Sequence, residues 1–94
     1  MPYVYMLASQ KNGTLYIGVT RDLIKRVYEH KSGFVPGFSR QHQVKRLVWF
    51  QQCDSIISAI QREKQMKAWK RDWKIQLIEQ SNPCWNDLYT ALLS

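Results

Sequence analysis

Tyr3-Val4-Tyr5-Met6-Leu7-Ala8-Ser9-Gln10-Lys11-Asn12-Gly13-Thr14-Leu15-Tyr16-Ile17-Gly18-Val19 holds two runs of aromatic and branched residues on either side of an Asn-Gly pair. Runs of this composition favour extended backbone, and Asn-Gly readily adopts the positive φ angles of a tight hairpin turn. The segment therefore predicts two antiparallel strands. If Asn12 and Gly13 are the two turn residues, Leu7 faces Gly18 and Tyr5 faces Thr20. Side chains alternate along a strand, so Tyr5, Leu7, Tyr16, Gly18 and Thr20 share one face. Gly18 leaves room beside two phenols, and a glycine inside a strand marks a bulge or the close approach of another group. The spacing alone also allows Tyr5 and Tyr16 to be ordinary packing aromatics.

Downstream of the hairpin, Thr20 and Asp22 are both candidate caps for a helix from Asp22 to about Lys31, with Leu23 and Val27 four apart on its apolar side. Arg26 and His30 are neighbours on one helix face that borders this stripe. An arginine at a helix–sheet junction can clamp a phosphate, or it can pair with Asp22. His30 suits a proton carrier, or a plain packed or surface residue. Ser32-Gly33-Phe34-Val35-Pro36-Gly37 reads as a loop. Val44 to Phe50 predicts a third strand, apolar on both faces and so expected at the centre of the sheet.

Asp54 or Ser55 can cap a long helical stretch to about Glu79, either one bent helix or two in series, closed by Asn82-Pro83. The last dozen residues offer Trp85, Leu88 and Leu92 for packing. Glu63 falls on the side of Ile56, Ala59, Ile60 and Met66, the face expected to turn inward. A carboxylate there must be paired or coordinate a cation. Mg²⁺ takes one or two protein carboxylates and completes its shell with water and phosphate oxygens; a salt bridge to Lys67 is the alternative. From Arg62 to Lys74, Lys67, Lys70, Arg71 and other basic residues interleave with Trp69 and Trp73. This pattern suits a phosphate-tracking surface with aromatics for base stacking. The plainer alternative is a solvated face with both tryptophans in the core.

Composition narrows the class. A chain of 94 residues is expected to form one domain, residues 1–94. Fourteen Lys and Arg against seven Asp and Glu give a net charge of +7, which attracts polyanions, nucleic acid foremost. No apolar run approaches the ~20 residues of a membrane span. The chain opens straight into a strand pattern without a secretory leader. Cys53 and Cys84 are too far apart for a zinc knuckle and read as two reduced thiols. The expected location is the cytoplasm. The element order strand-strand-helix-strand-helix(-helix) gives an α/β (α+β) fold with a small three-stranded antiparallel sheet flanked by helices.

Tyr3-Val4-Tyr5, ten intervening residues and Tyr16-Ile17-Gly18, followed by the Thr20–His30 helix segment, Arg62-Glu63-Lys64 and Asn82-Pro83-Cys84-Trp85, resemble the GIY-YIG nuclease superfamily and its small stand-alone bacterial members. The resemblance runs from about Tyr3 to Leu88. It implies an endonuclease that hydrolyses nucleic-acid phosphodiester bonds with Mg²⁺ or Mn²⁺, in DNA repair or nucleic-acid turnover. By that resemblance Glu63 holds the metal, Arg26 steadies the scissile phosphate, and Tyr5 and Tyr16 line the site. His30 and Asn82 match positions associated with it. Gly18, Lys67, Lys70, Arg71 and Asn82 are the candidate nucleic-acid contacts, with DNA favoured over RNA and a protein partner supplying target specificity. The sequence departs from the pattern at Tyr3 and Val4, which replace Gly and Ile. Val19 stands where some relatives carry a lysine, and His42 where a tyrosine is favoured. A non-catalytic DNA- or RNA-binding module and a protein-interaction adaptor are the competing functions.

Overall fold

The computed structural model describes residues 1–34, 37 and 41–94. Strands β1 (Tyr3–Ala8), β2 (Leu15–Thr20) and β3 (Arg46–Gln52) form one antiparallel sheet in the order β2-β1-β3. Helices α1 (Leu23–Lys31), α2 (Ile56–Ala68), α3 (Arg71–Ser81) and a final turn, α4 (Tyr89–Leu92), complete the described elements. The α+β class and the three-stranded sheet are as the sequence predicts. Val35 and Pro36 of the predicted loop lie outside the described residues, but Gly33 has φ +75° just after the α1 cap at Ser32, the left-handed position that ends many helices.

Two expectations about the sheet are corrected. The central strand is β1, not β3. Both strands are apolar on both faces, but β1 is buried from Val4 to Ala8, whereas β3 emerges at Gln51-Gln52. The hairpin register also differs: Tyr5 faces Gly18 and Leu7 faces Tyr16. The turn is longer than two residues, because the Ser9 amide donates to the Thr14 carbonyl (3.0 Å) and the Gly13 amide to that of Gln10 (2.9 Å). Asn12 takes the left-handed conformation at φ 59°. The slip is an even number of residues, so every side chain keeps its face.

One face of the sheet carries Val4, Met6, Ala8, Ile17, Val48 and Trp49 against Ala59 and Met66 of α2, Ile78 of α3 and Trp85. The other carries Tyr5, Leu7 and Leu47 against Leu23 and Val27 of α1 and Val44, with Leu88, Tyr89 and Leu92 packed alongside. Local chemistry sets the helix starts. Asp22 Oδ1 accepts from the Lys25 amide (3.1 Å), and Ser55 forms a reciprocal capping box with Ser58. The predicted long helix is two in series, because Trp69 and Lys70 are extended (ψ 152° and 149°). Arg71, just past that break, donates from Nη2 to the Asn12 carbonyl (2.9 Å) and to that of Gly13, fastening α3 to the hairpin turn.

The segment after α3 closes the outer edge of β3. A bulge places Leu47 opposite Leu7 and Trp49 opposite Met6, so Val48 is the extra residue. The Val48 carbonyl accepts from Asn82 Nδ2 (3.1 Å), which also donates to the Asn86 carbonyl (2.9 Å) while Oδ1 accepts from the Asn86 amide (3.0 Å). The Leu47 carbonyl accepts from the Leu88 amide (2.8 Å), and the Leu47 amide donates to Asp87 Oδ1 (3.2 Å). Asp87 also pairs with Lys31 of α1. Trp85 is wholly buried, and its indole N–H donates to Glu79 Oε2 (2.7 Å).

The tryptophans divide. Trp49 and Trp85 are buried and Trp69 packs against the core, but Trp73 is 52% exposed and meets Trp69 edge-on (6.3 Å between centroids), contrary to a core role for both residues of the basic stretch. Ile60 is likewise exposed, not inward. Trp85→Ala should therefore cost about 3–5 kcal/mol in urea unfolding, and Trp73→Ala less than about 1 kcal/mol. Equal losses in the two variants would contradict this division of the core.

Candidate active site

Tyr5 of β1 anchors the site. Its cross-strand partner is Gly18 of β2, and a Cβ added there would lie 2.5 Å from the Tyr5 hydroxyl oxygen and 2.6 Å from Cζ. The room left by Gly18 is thus filled by the Tyr5 phenol, and Gly18 is itself buried. Tyr16, beside Gly18 on the same face of β2, brings its ring centroid within 6.3 Å of that of Tyr5. From α1, His30 enters between them. It is buried, its Nε2 shares a 3.0 Å hydrogen bond with the Tyr5 hydroxyl, and its ring lies 5.1 Å from that of Tyr16.

Two charged groups act on this cluster from different helices. Burial pushes the Tyr5 phenol well above the usual tyrosine range. Tyr16 and the Glu63 carboxylate of α2 push the same way, and the Arg26 guanidinium of α1 opposes them. Arg26 and Glu63, far apart in sequence, therefore share the electrostatic neighbourhood of one hydroxyl. Burial, and secondarily Arg26, lowers His30 to about 4, so its imidazole is neutral at pH 7. The Arg26 side chain is 42% exposed, and its Nε stands 3.8 Å from Glu29, not beside Asp22, whose carboxylate caps the helix. Arg26, Lys25, Thr20, Val19, Glu29 and Ile56 line an open groove of about 430 Å³ at one end of β2. Glu63 is largely shielded and pairs with Lys67 at 3.4 Å.

Among the described residues no three His, Cys, Asp or Glu side chains gather as a metal cluster. A single carboxylate suits a hard, hydrated cation such as Mg²⁺ or Mn²⁺, which shares its shell between one protein oxygen, water and substrate phosphate. The i,i+4 pair, whose Lys67 end is exposed, is weak enough to yield Glu63 to such an ion.

The remaining candidates separate. Lys67 and Lys74 line a groove of about 290 Å³ against Leu15, Tyr16 and Ile17. Lys70 is exposed. Arg71 is occupied by the hairpin turn, and Asn82 is 4% exposed with its amide spent on Val48 and Asn86, so both are engaged in holding the fold. A buried carboxamide must satisfy all its polar atoms locally, and the sequence does not announce that the bulge at Val48 leaves a carbonyl for Asn82. His42 is exposed. Lys74, standing beside Tyr16, is a site neighbour that sequence reasoning did not separate from the other lysines.

The fold is a small α+β domain with a three-stranded antiparallel sheet. The chain belongs to the GIY-YIG family, whose catalytic-domain model matches residues 1–76. It is 36% identical over 80 residues to a UPF0213 protein of Syntrophus aciditrophicus (strain SB), covering 84% of this chain and 91% of that one. A UPF0213 protein of Haloquadratum walsbyi is 35% identical over 78 residues, covering 83% and 86%. The solution NMR structure of a UPF0213 protein from Bacillus halodurans is similar with a TM-score of 0.56 and 31% identity, covering 93% of both chains. No helix among the described residues is long and apolar enough to cross a membrane.

Two predictions test the seat of Tyr5. Gly18→Ala should displace the phenol and cost about 1–3 kcal/mol in urea unfolding; an unchanged midpoint would refute the close packing. His30 should titrate by NMR with a midpoint near 4. A folded-state value below the unfolded ~6.5 means its contribution to stability is complete above pH ~6.5 and is lost as pH falls toward 4, by no more than about 3 kcal/mol. A midpoint near 6.5 would show that the imidazole is not buried against Tyr5.

Proposed function

We propose that residues 1–94 form one domain that hydrolyses nucleic-acid phosphodiester bonds as a metal-dependent endonuclease. The observation that carries this reading is the packing of Tyr16 of β2 and His30 of α1 on Tyr5 of β1, with His30 hydrogen-bonded to the Tyr5 hydroxyl and the charges of Arg26 and Glu63 acting on the same group. Glu63 would hold Mg²⁺ or Mn²⁺, which when bound supplies Lewis-acid neutralisation of charge on the phosphate. Arg26, half-exposed at the groove, donates to a non-bridging phosphate oxygen and opposes the charge that grows there during attack.

The tyrosines take different roles. Tyr5, buried and held in its protonated form, orients and does not accept a proton. Tyr16, half-buried and open to the Lys67 groove, positions the attacking water and relays its proton. Neutral His30 fixes the Tyr5 hydroxyl. DNA is favoured over RNA as substrate, in repair or turnover in the cytoplasm, with target choice supplied by a protein partner. A binding module without catalysis is the second reading, favoured by the Glu63–Lys67 pair at 3.4 Å, which occupies the candidate metal-holding carboxylate.

Purified protein incubated with plasmid, branched and single-stranded DNA should cleave in Mg²⁺ or Mn²⁺ and not in EDTA. Glu63→Ala and Arg26→Ala should each lower the rate about 100-fold or more, the loss typical of removing a transition-state charge partner. Equal cleavage by both variants would trace the activity to a contaminant. Binding without cleavage in the native protein would establish the module instead.

A further inference from the structure

The sheet has two edges of unlike character. The β3 edge is closed by Asn82, Asp87 and Leu88, whereas β2 has no strand beyond it among the described residues. Both basic grooves beside the site use β2 as a wall. The groove of about 430 Å³ adjoins Val19 and Thr20 and brings Arg21, Lys25 and Arg26, set against the cap carboxylate Asp22 and against Glu29, which pairs with Arg26; the groove of about 290 Å³ adjoins Leu15 to Ile17 and brings Lys67 and Lys74. Tyr16 and the Gly18 seat of Tyr5 lie on the strand that joins them. Cations from α1 therefore sit at one end of β2 and cations from α2 and α3 at the other, on a chain of net charge +7.

We propose that one strand of nucleic acid runs along the open edge of β2, its phosphates held at one end by Lys25 and at the other by Lys74, with the bond to be cut between them. This rests on the nuclease reading and adds to it the direction of the substrate and a binding role for Lys74. At about 3.3 Å per residue, β2 is about 17 Å long. A strand must therefore extend over several nucleotides to reach both ends. Lys67 faces the same groove, but its pairing with Glu63 makes it a poor probe, since removing it also alters the candidate metal ligand.

The test is binding of a fluorescent twelve-nucleotide single-stranded DNA in EDTA, where no cleavage occurs, followed by anisotropy from 50 to 200 mM salt. Lys25→Ala and Lys74→Ala should each flatten the slope of log K against log salt by about 0.7, the value for one phosphate contact on a single strand. The double variant should flatten it by about twice that. Lys74→Gln, which keeps the length of the stem, replaces the alanine variant if that one melts at lower temperature. Lys45→Ala, just before β3 at the opposite side of the sheet, removes the same charge and should leave the slope unchanged. A Lys45 effect equal to that of Lys74, or unchanged slopes for Lys25 and Lys74, would overturn the track. A two-nucleotide probe that remained sensitive to both lysines would overturn it too. Cleavage lost in Glu63→Ala alongside unchanged slopes in the lysine variants would refute the track and leave the nuclease reading standing. Flattened slopes in a protein that never cleaves would do the reverse.

Discussion

The Tyr5 phenol lies where any side chain on Gly18 would have to be, and the rest of the site is arranged around that contact. With a side chain at Gly18 the ring has no seat on the sheet. Without the ring there, the buried hydrogen bond between His30 and the Tyr5 hydroxyl is lost. A neutral imidazole and a protonated phenol satisfy each other without charge, which is how two titratable groups remain inside a small domain at little electrostatic cost. The two charges of the proposed site, Arg26 and Glu63, stand nearer to solvent than this pair and are each matched by a neighbour on their own helix.

That division of labour depends on β1 being central. A central strand can carry Tyr5 on one face while Val4 and Met6 fix the other face against α2 and α3. α1 packs on the face that carries Tyr5 and supplies His30 to it, while α2 packs on the second face, from which the Glu63 carboxylate acts on the phenol by its charge. Closure of the β3 edge is the complement. Asn82 and Asp87 satisfy backbone groups that an unpaired edge strand would offer to other chains, and Asp87 ties that closure to α1 through Lys31.

Much of this was legible in local chemistry, and what was not has a common cause. Asp22 and Ser55 cap helices where short polar side chains precede apolar periodicity, and alternation put Tyr5, Tyr16 and Gly18 on one face whatever the register. The register itself was not legible, because Asn12-Gly13 serves equally in a two-residue turn and in the longer one closed by Ser9 and Thr14. Nor was the strand order: Leu47 to Phe50 is as apolar on both faces as β1, but β3 begins at Arg46 and runs out into Gln51-Gln52, and the tertiary contacts of Asn82 and Asp87 cover its edge. The break at Trp69-Lys70 contains neither glycine nor proline. It coincides with tertiary contacts, Trp69 packing on the core and Arg71 reaching the hairpin turn. At Glu63 the helical face predicted a carboxylate turned inward, yet Ile60 on the same predicted face is exposed, so the buried stripe is narrower than periodicity implied.

The open edge of β2 follows from the same economy. A three-stranded sheet has two edges, and among the described residues the segment after α3 covers that of β3. Covering β2 would place backbone across the mouth of the Arg26 groove and over Tyr16, while covering β3 costs nothing at the site. An exposed edge strand is an aggregation hazard, and here it is flanked by Arg21, Lys25, Lys67 and Lys74, whose like charges repel a second copy of the chain. On the proposed track, the residues that guard this edge against self-pairing would also draw a polyanion to it, so both demands would fall on the same positions.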